Sequence, residues 1–182
     1  MIDQSIGNVL RHGGVIAYPT EGVWGLGCDP FHEAAVMRIL ALKVRPVEKG
    51  LILIAAGMDQ VEALTANLDP AYKSLLDESW PGPNTWLLPD DNNLIPAWIK
   101  GEFSTVAIRV TDHPVAAALC SAFGGMLVST SANPADLPPA KTREEVQAYF
   151  PEGIDQIVPG ELGRQQGPST IRDLMSQQVF RQ

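Results

Sequence analysis

Three basic side chains cluster in the segment LKVRPVEKG, residues 42–50, of a 182-residue chain whose formal net charge is −8. Lys43, Arg45 and Lys49 lie within seven residues of one another. Pro46 follows Arg45, removes a backbone donor and biases Arg45 toward an extended conformation. Such a loop in an acidic chain is a candidate anion site. The alternative is a solvated basic surface, which is how short charge runs usually behave.

A second polar group lies in the segment LVSTSAN, residues 127–133. Ser129, Ser131 and Asn133 recur at every second residue, so an extended backbone places all three on one face. Hydroxyl groups and a carboxamide at the end of a strand can bind phosphate, ribose or the edge of adenine. The alternative is a capped turn, since serine and asparagine favour turns and Pro134 follows at once.

An arginine occupies a strand-like pattern in STVAIRV, residues 104–110. Thr105, Ala107 and Arg109 alternate with valine and isoleucine, which predicts one apolar face and one face that carries Arg109. An arginine in mid-strand is often a surface partner of a neighbouring strand. On a sheet covered on both sides it would instead need a charged partner or a ligand.

Several common catalytic and binding motifs are absent. The sequence contains no G-x-x-x-x-G-K-[ST] loop, and in GLGCDP the place of the third Rossmann glycine is taken by Pro30. The histidines lack metal-ligand spacing, and His113, just before a proline, is a better helix cap than ligand. No metal site is therefore predicted. Four carboxylates are possible ion ligands but are more simply turn residues: Glu21, Asp29, Asp112 and Asp136.

The composition is that of a globular protein, with 45% apolar and 19% charged residues. The length suits one domain, residues 1–182. Apolar runs are too short to span a bilayer, and the N-terminus does not resemble a secretory signal. Cys28 and Cys120 form no C-x-x-C pair, so we expect reduced thiols in a cytoplasmic protein. The acidic balance argues against a protein that mainly coats nucleic acid.

Runs rich in valine and isoleucine alternate with helical periodicity, which predicts an α/β fold. Strands are predicted at VIAYPT, LILIAA, STVAIRV and MLVST, and helices at residues 32–43 and 113–123. A capping box of Thr142 and Glu145 predicts the start of another helix. The N-terminal helix would present one apolar face: Ile2, Ile6, Val9 and Leu10. Because several strands are not separated by helices, we expect a mixed sheet.

Six segments occur in the order typical of the YrdC-type family, which the chain resembles from about residue 14 to 181: AYPTEGVWGLGCDP, LKVRPVEKGLILIA, WPGPNTWLLP, STVAIRVTDHP, LVSTSANPADLPPA and GPSTIRDL. The resemblance implies a single α/β domain with a twisted mixed sheet, flanking helices and an open basic cleft. It also implies a nucleotidyltransferase that converts L-threonine, bicarbonate and ATP into L-threonylcarbamoyl-adenylate and pyrophosphate, with Mg²⁺ accompanying ATP. The product would serve t6A modification of tRNA through downstream transfer proteins.

The resemblance also assigns residues to roles. Lys43 and Arg45, in the K-x-R loop, would hold the triphosphate and take the catalytic role. The ATP-binding set is Lys43, Arg45, Lys49, Ser129, Ser131, Asn133 and Arg181. The threonine-binding set is Thr20, Thr105, Arg109 and Ser169. In this set, Arg109 would pair with the carboxylate of threonine.

The chain departs from the family pattern at three places. Gly22 stands where many relatives have a second threonine, and Ile54 stands where longer relatives have a histidine. Ala135 and Asp136 replace the usual Ser-Gly. Two alternative functions stay open: a double-stranded RNA-binding module without catalysis, and an adenylating enzyme for another amino acid, for which Gly22 and Ile54 leave room.

Overall fold

The structure is a computed structural model that describes residues 5–165, 167 and 169–181. The strands of this part of the chain are β1 Ile16–Pro19, β2 Trp24–Gly27, β3 Ile52–Ala55, β4 Asn84–Pro89, β5 Thr105–Val110, β6 Leu127–Ser131, β7 Gln156–Ile157, β8 Thr170–Asp173 and β9 Val179–Arg181. The helices are α1 Ser5–Arg11, α2 Glu33–Lys43, α3 Glu62–Thr65, α4 Pro70–Ser79, α5 Ala97–Lys100, α6 Pro114–Phe123 and α7 Arg143–Tyr149. None of these helices is long and apolar enough to cross a bilayer.

The described strands form one sheet in the order β7-β1-β2-β6-β3-β5-β4-β8-β9. Three pairs are parallel, namely β1 with β7, β3 with β5 and β4 with β8, and the other pairs are antiparallel. The predicted α/β fold with a mixed sheet and flanking helices is therefore confirmed.

Local sequence signals set several helix ends. The capping box at α7 is present, because Thr142 accepts a hydrogen bond from the Glu145 backbone and the Glu145 side chain accepts one from the Thr142 backbone. His113 occupies the N-cap position of α6, but its side chain makes no capping bond and Nε2 lies 3.0 Å from the backbone oxygen of Glu161. The predicted N-terminal helix begins at Ser5 among the described residues, and Ile2 lies outside them.

The two faces of the sheet are covered differently. One face is apolar throughout its centre, with Leu53, Val106 and Ile108 packed in the cluster that includes α2 and α7 side chains. On the other face, α1 and α6 cover only one end, where Ile54 and Leu127 are fully buried. The same face carries polar side chains farther along β5 and β6, so one half of it is left for a site.

Two glycines of β2 make room for the ring of Tyr18 on the neighbouring strand. Tyr18 pairs with Gly25, and Ile16 with Gly27, in the antiparallel register of β1 and β2. A Cβ atom on Gly27 would lie 2.6 Å from the backbone oxygen of Val128 and 2.8 Å from Tyr18 Cε1. Outside its chain neighbours, the atom nearest to a Cβ on Gly25 would be Thr20 Cγ2, at 3.2 Å.

We expect Gly27→Ala to destabilise the fold by about 2 kcal/mol more than Gly25→Ala, because a backbone oxygen cannot yield as a methyl group can. The free energy of unfolding, measured in urea for both variants and the parent, checks this difference. Equal losses in the two variants would mean that Tyr18 and β6 do not pack on Gly27 as described.

Candidate active site

A cavity of about 560 Å³ opens on the half of the sheet face that α1 and α6 leave uncovered. The floor of the cavity is formed by neighbouring residues of three strands. Ile52 of β3 pairs with Ser129 of β6 on one side and with Ala107 of β5 on the other. Most of the site residues predicted from the sequence line this cavity: Thr20, Arg45, Lys49, Thr105, Arg109, Ser129, Ser131, Ser169 and Arg181.

The loop after α2 presents Arg45 to the cavity. Val44 ends the helix in the left-handed conformation with φ 50°, and the Arg45 amide donates to the Leu40 oxygen over 2.9 Å. The guanidinium donates through Nη2 to the backbone oxygen of Gly50 at 2.9 Å. Its Nε is buried and has no acceptor within the described residues, and burial lowers the pKa of Arg45. A buried donor without an acceptor is costly, so Nε of Arg45 is a candidate donor to a ligand in the cavity.

Three guanidinium groups converge on the cavity from separate elements: Arg45 from the loop, Arg109 from β5 and Arg181 from β9. Burial and then the charges of Arg109 and Arg45 lower the pKa of Arg181. Like charges that face one cavity repel one another, and an anion with several negative charges would relieve this repulsion. The arrangement is therefore suited to a polyanion.

Arg109 is 7% exposed and forms a buried ion pair with Glu21, which is 6% exposed. Nη2 of Arg109 lies 3.2 Å from Oε2 of Glu21, and Thr111 donates to Oε1 of Glu21 over 2.5 Å. Removing two charges from water is costly, and their pairing offsets part of that cost. Nε of Arg109 has no partner among the described residues, so it is a candidate donor to a ligand.

The interpretation of Glu21 as a turn residue was incomplete. Glu21 does lie in the turn between β1 and β2, but its side chain is the buried partner of Arg109. The sequence indicated that an arginine on a covered sheet needs a charged partner or a ligand. It gave no means of choosing Glu21 among the acidic turn residues, because the pairing spans distant segments.

The end of β6 places Ser129 and Ser131 in the cavity wall. Lys43 and Asn133 do not line the cavity. The Lys43 ammonium donates to the Ser131 oxygen at 2.5 Å, the Asn133 oxygen at 2.8 Å and Asn133 Oδ1 at 3.3 Å. Burial and then the charge of Arg45 lower the pKa of Lys43 to about 8. That Lys43 and Asn133 bind the nucleotide directly stays a prediction.

Ser169 and Arg181 close another side of the cavity together. Ser169 Oγ lies 2.8 Å from Thr85 Oγ1, so the two hydroxyls share a hydrogen bond. Arg181 donates through Nε to the Ser169 backbone oxygen at 3.0 Å and through Nη2 to Ser169 Oγ at 3.3 Å. Arg181, near the C-terminus, thus returns to the cavity.

Two of the departures from the family pattern, Gly22 and Ile54, differ in position. Gly22 lines the cavity, and a Cβ atom there would lie 2.5 Å from the Gly167 oxygen and 2.9 Å from the Gln165 oxygen. A side chain at position 22 would therefore displace the segment that contains Gln165. Ile54 is fully buried beneath α1 and α6 and is not part of the cavity lining.

Two aromatic residues of the cavity were not predicted from the sequence. Phe103 and Phe180 line it and are 52% and 59% exposed. Exposed aromatic rings at a cavity offer faces on which a planar base can stack. No sequence pattern marks them, because they lie in separate segments and reach the cavity only when the sheet is assembled.

The carboxylates of the site are few. Within residues 5–165, 167 and 169–181, no group of three or more His, Cys, Asp or Glu side chains is placed to hold a metal ion. Asp173 lines the cavity, while its Oδ1 accepts hydrogen bonds from the backbone and hydroxyl of Ser176.

The family profile Sua5/YciO/YrdC, described as telomere recombination, matches residues 8–182. A threonylcarbamoyl-AMP synthase of Cellvibrio japonicus is 58% identical over 174 residues, which cover 96% of this chain and 92% of that protein. A threonylcarbamoyl-AMP synthase of Pseudomonas aeruginosa is 53% identical over 178 residues, which cover 98% of this chain and 95% of that protein.

Solved structures share the fold. The crystal structure of P. abyssi Sua5 complexed with L-threonine aligns with a TM-score of 0.86 at 32% identity, over 93% of this chain and 50% of that chain. The crystal structure of E. coli YciO aligns with a TM-score of 0.84 at 28% identity, over 98% of this chain and 87% of that chain. Given the profile match and these identities, the chain belongs to the Sua5/YciO/YrdC family.

Proposed function

We propose that this chain is a threonylcarbamoyl-AMP synthase, which forms L-threonylcarbamoyl-adenylate and pyrophosphate from L-threonine, bicarbonate and ATP. The observation that carries this proposal is the convergence of Arg45, Arg109 and Arg181 on one cavity, in a chain 58% identical to a synthase of that name. The product would pass to downstream proteins that modify tRNA. The chain would act as one domain, residues 1–182, in the cytoplasm, where the buried free thiols of Cys28 and Cys120 stay reduced.

The reaction needs positioned charges and no protein nucleophile. The threonine amine takes up carbon dioxide, supplied as bicarbonate, and loses protons to become a carbamate. A carbamate oxygen then attacks the α-phosphorus of ATP, and the bond between the α-phosphorus and the bridging oxygen breaks as pyrophosphate leaves. Holding two anions together and stabilising the charge on the leaving phosphates are the main tasks of such a site.

The cavity divides these tasks between two groups of residues. Arg45, Lys49 and Arg181 would bind the triphosphate, because their charges face the cavity from the loop and from β9. Mg²⁺ bound to the triphosphate would neutralise further charge. Ser129 and Ser131, which also line the cavity, would offer hydroxyl groups to the nucleotide.

The amino acid would lie on the side of the cavity formed by β5 and β8. Arg109 would pair with the threonine carboxylate, while Thr20, Thr105 and Ser169 offer hydroxyl groups nearby in the lining. The ion pair with Glu21 holds one end of the Arg109 guanidinium and leaves Nε for the ligand. An arginine fork fixed in this way is suited to a carboxylate.

Pyrophosphate release from ATP should require both L-threonine and bicarbonate when the purified protein is assayed. Serine replaces threonine as the matched control, because it keeps the amine, carboxylate and hydroxyl but lacks the methyl group. Release with serine as fast as with threonine would identify an adenylating enzyme for a different amino acid. No release under any condition would contradict the synthase and favour a binding module such as one for double-stranded RNA.

Arg45→Ala should weaken ATP binding about tenfold or more, because a charge-assisted contact with phosphate is lost. Isothermal titration with ATP measures this, and thermal unfolding should show that the variant stays folded. Arg172→Ala is the control, since Arg172 is an exposed arginine of β8 that does not line the cavity. ATP affinity unchanged by Arg45→Ala would show that the basic loop is solvated surface.

Arg109→Lys should raise the KM for threonine about tenfold while changing the KM for ATP little, because lysine keeps the charge but loses the fork. Lysine also leaves a cation opposite Glu21, which avoids an unpaired buried carboxylate. Initial rates of pyrophosphate release, with each substrate varied in turn, give the two constants. Equal increases in both would place Arg109 at the nucleotide rather than at threonine.

A further inference from the structure

The polar atoms of Lys43 and Asn133 are largely committed to contacts inside the protein. The Lys43 ammonium has three donors, and three oxygens of the 131–133 segment accept from it. The Asn133 amide accepts from Lys43 through Oδ1 and donates through Nδ2 to the backbone oxygens of Pro134 at 3.1 Å and Leu137 at 2.8 Å. Neither residue lines the cavity.

The backbone adds a further tie between the same two segments. The amide of Ala135 donates to the Lys43 carbonyl over 2.8 Å, so residue 43 holds segment 131–137 through its main chain and its side chain. Lys43 is the last residue of α2, and Arg45 follows two residues later at the start of the basic loop. Ser131, whose carbonyl accepts from Lys43, is the last residue of β6 and lines the cavity.

The cost of burying Lys43 also favours a structural role. Lys43 is only 4% exposed, and a buried ammonium group is unfavourable unless each of its protons has an acceptor. To reach a phosphate, Lys43 would have to give up oxygens that are already well placed. Loss of the Lys43 ammonium would take one donor away from each of these three oxygens in a partly buried segment.

We propose that Lys43 and Asn133 form a clip that joins the end of α2 to segment 131–137, and that neither side chain contacts the nucleotide. The clip sets the distance between Arg45 and Ser131, which face the cavity from the two joined segments. Both residues are thus positioning residues of the K-x-R and S-x-N motifs. The nucleotide part of this inference rests on the proposed function, whereas the clip itself exists without a ligand.

Hydrogen exchange of the ligand-free protein tests the clip directly. Lys43→Gln and Asn133→Ala should each speed exchange of the amides in residues 131–137 about tenfold, because their tie to α2 is weakened. Lys49→Gln is the matched control, a lysine of the same loop that is exposed and lines the cavity. If Lys43 and Asn133 served only as ligands, exchange without nucleotide would be the same in all variants, and the clip would be wrong.

Nucleotide titrations test the positioning role. Lys43→Gln should lower the affinities for ATP and AMP by a similar factor, about tenfold, since a displaced wall affects contacts common to both. Lys49→Gln should lower the affinity for ATP alone. A loss for ATP with AMP binding intact in Lys43→Gln would make Lys43 a triphosphate ligand and overturn the inference.

The double variant of Lys43→Gln and Asn133→Ala gives a second criterion. Residues of one clip should be coupled, so the double variant should bind ATP no more weakly than the worse single variant. Losses that multiply would show two independent ligands and contradict the clip.

If Lys43→Gln does not fold, hydrogen exchange of Asn133→Ala alone decides whether the clip exists. If the parent protein binds neither ATP nor AMP, the proposed function fails while the exchange experiment still decides the clip.

Discussion

The unequal covering of the two sheet faces is the constraint on which the rest of the structure depends. Side chains of a strand alternate between faces, so each strand can supply an apolar side chain to the core and a polar side chain to the cavity. In β5, Val106 and Ile108 enter the apolar cluster while Thr105 and Arg109 line the cavity. Because α1 and α6 cover one end only, the other half of that face stays accessible to ligands.

Electrostatics then determine what this open half can bind. The chain is acidic overall, with a net charge of −8, yet its cavity collects guanidinium groups from three distant segments. Glu21 stabilises one of them from behind, while the others have no carboxylate in an ion pair within the described residues. Charges fixed before the ligand arrives need little reorganisation during the reaction, which is the physical basis of electrostatic catalysis. A triphosphate would complete the charge balance of the site.

The features predicted correctly from sequence are those set by local or periodic signals. The capping box at Thr142 and the alternation of β5 require only neighbouring residues, and the mixed sheet follows from strands that lack intervening helices. Features that depend on contacts between distant segments were not predictable in this way. The pairing of Glu21 with Arg109 and the placement of Phe103 and Phe180 at the cavity arise only when the sheet is assembled.

The contacts of Lys43 show why a motif does not by itself distinguish a ligand from a support. A lysine and an asparagine are suitable for both roles, because each offers charge or hydrogen bonds to any acceptor within reach. What decides is burial together with the partners already present, and here Lys43 and Asn133, 90 residues apart, satisfy each other. Each side chain would lose a hydrogen-bond partner without the other, so the K-x-R and S-x-N segments depend on each other physically. The geometry of the cavity wall follows from that mutual dependence as much as from the groups that face the cavity.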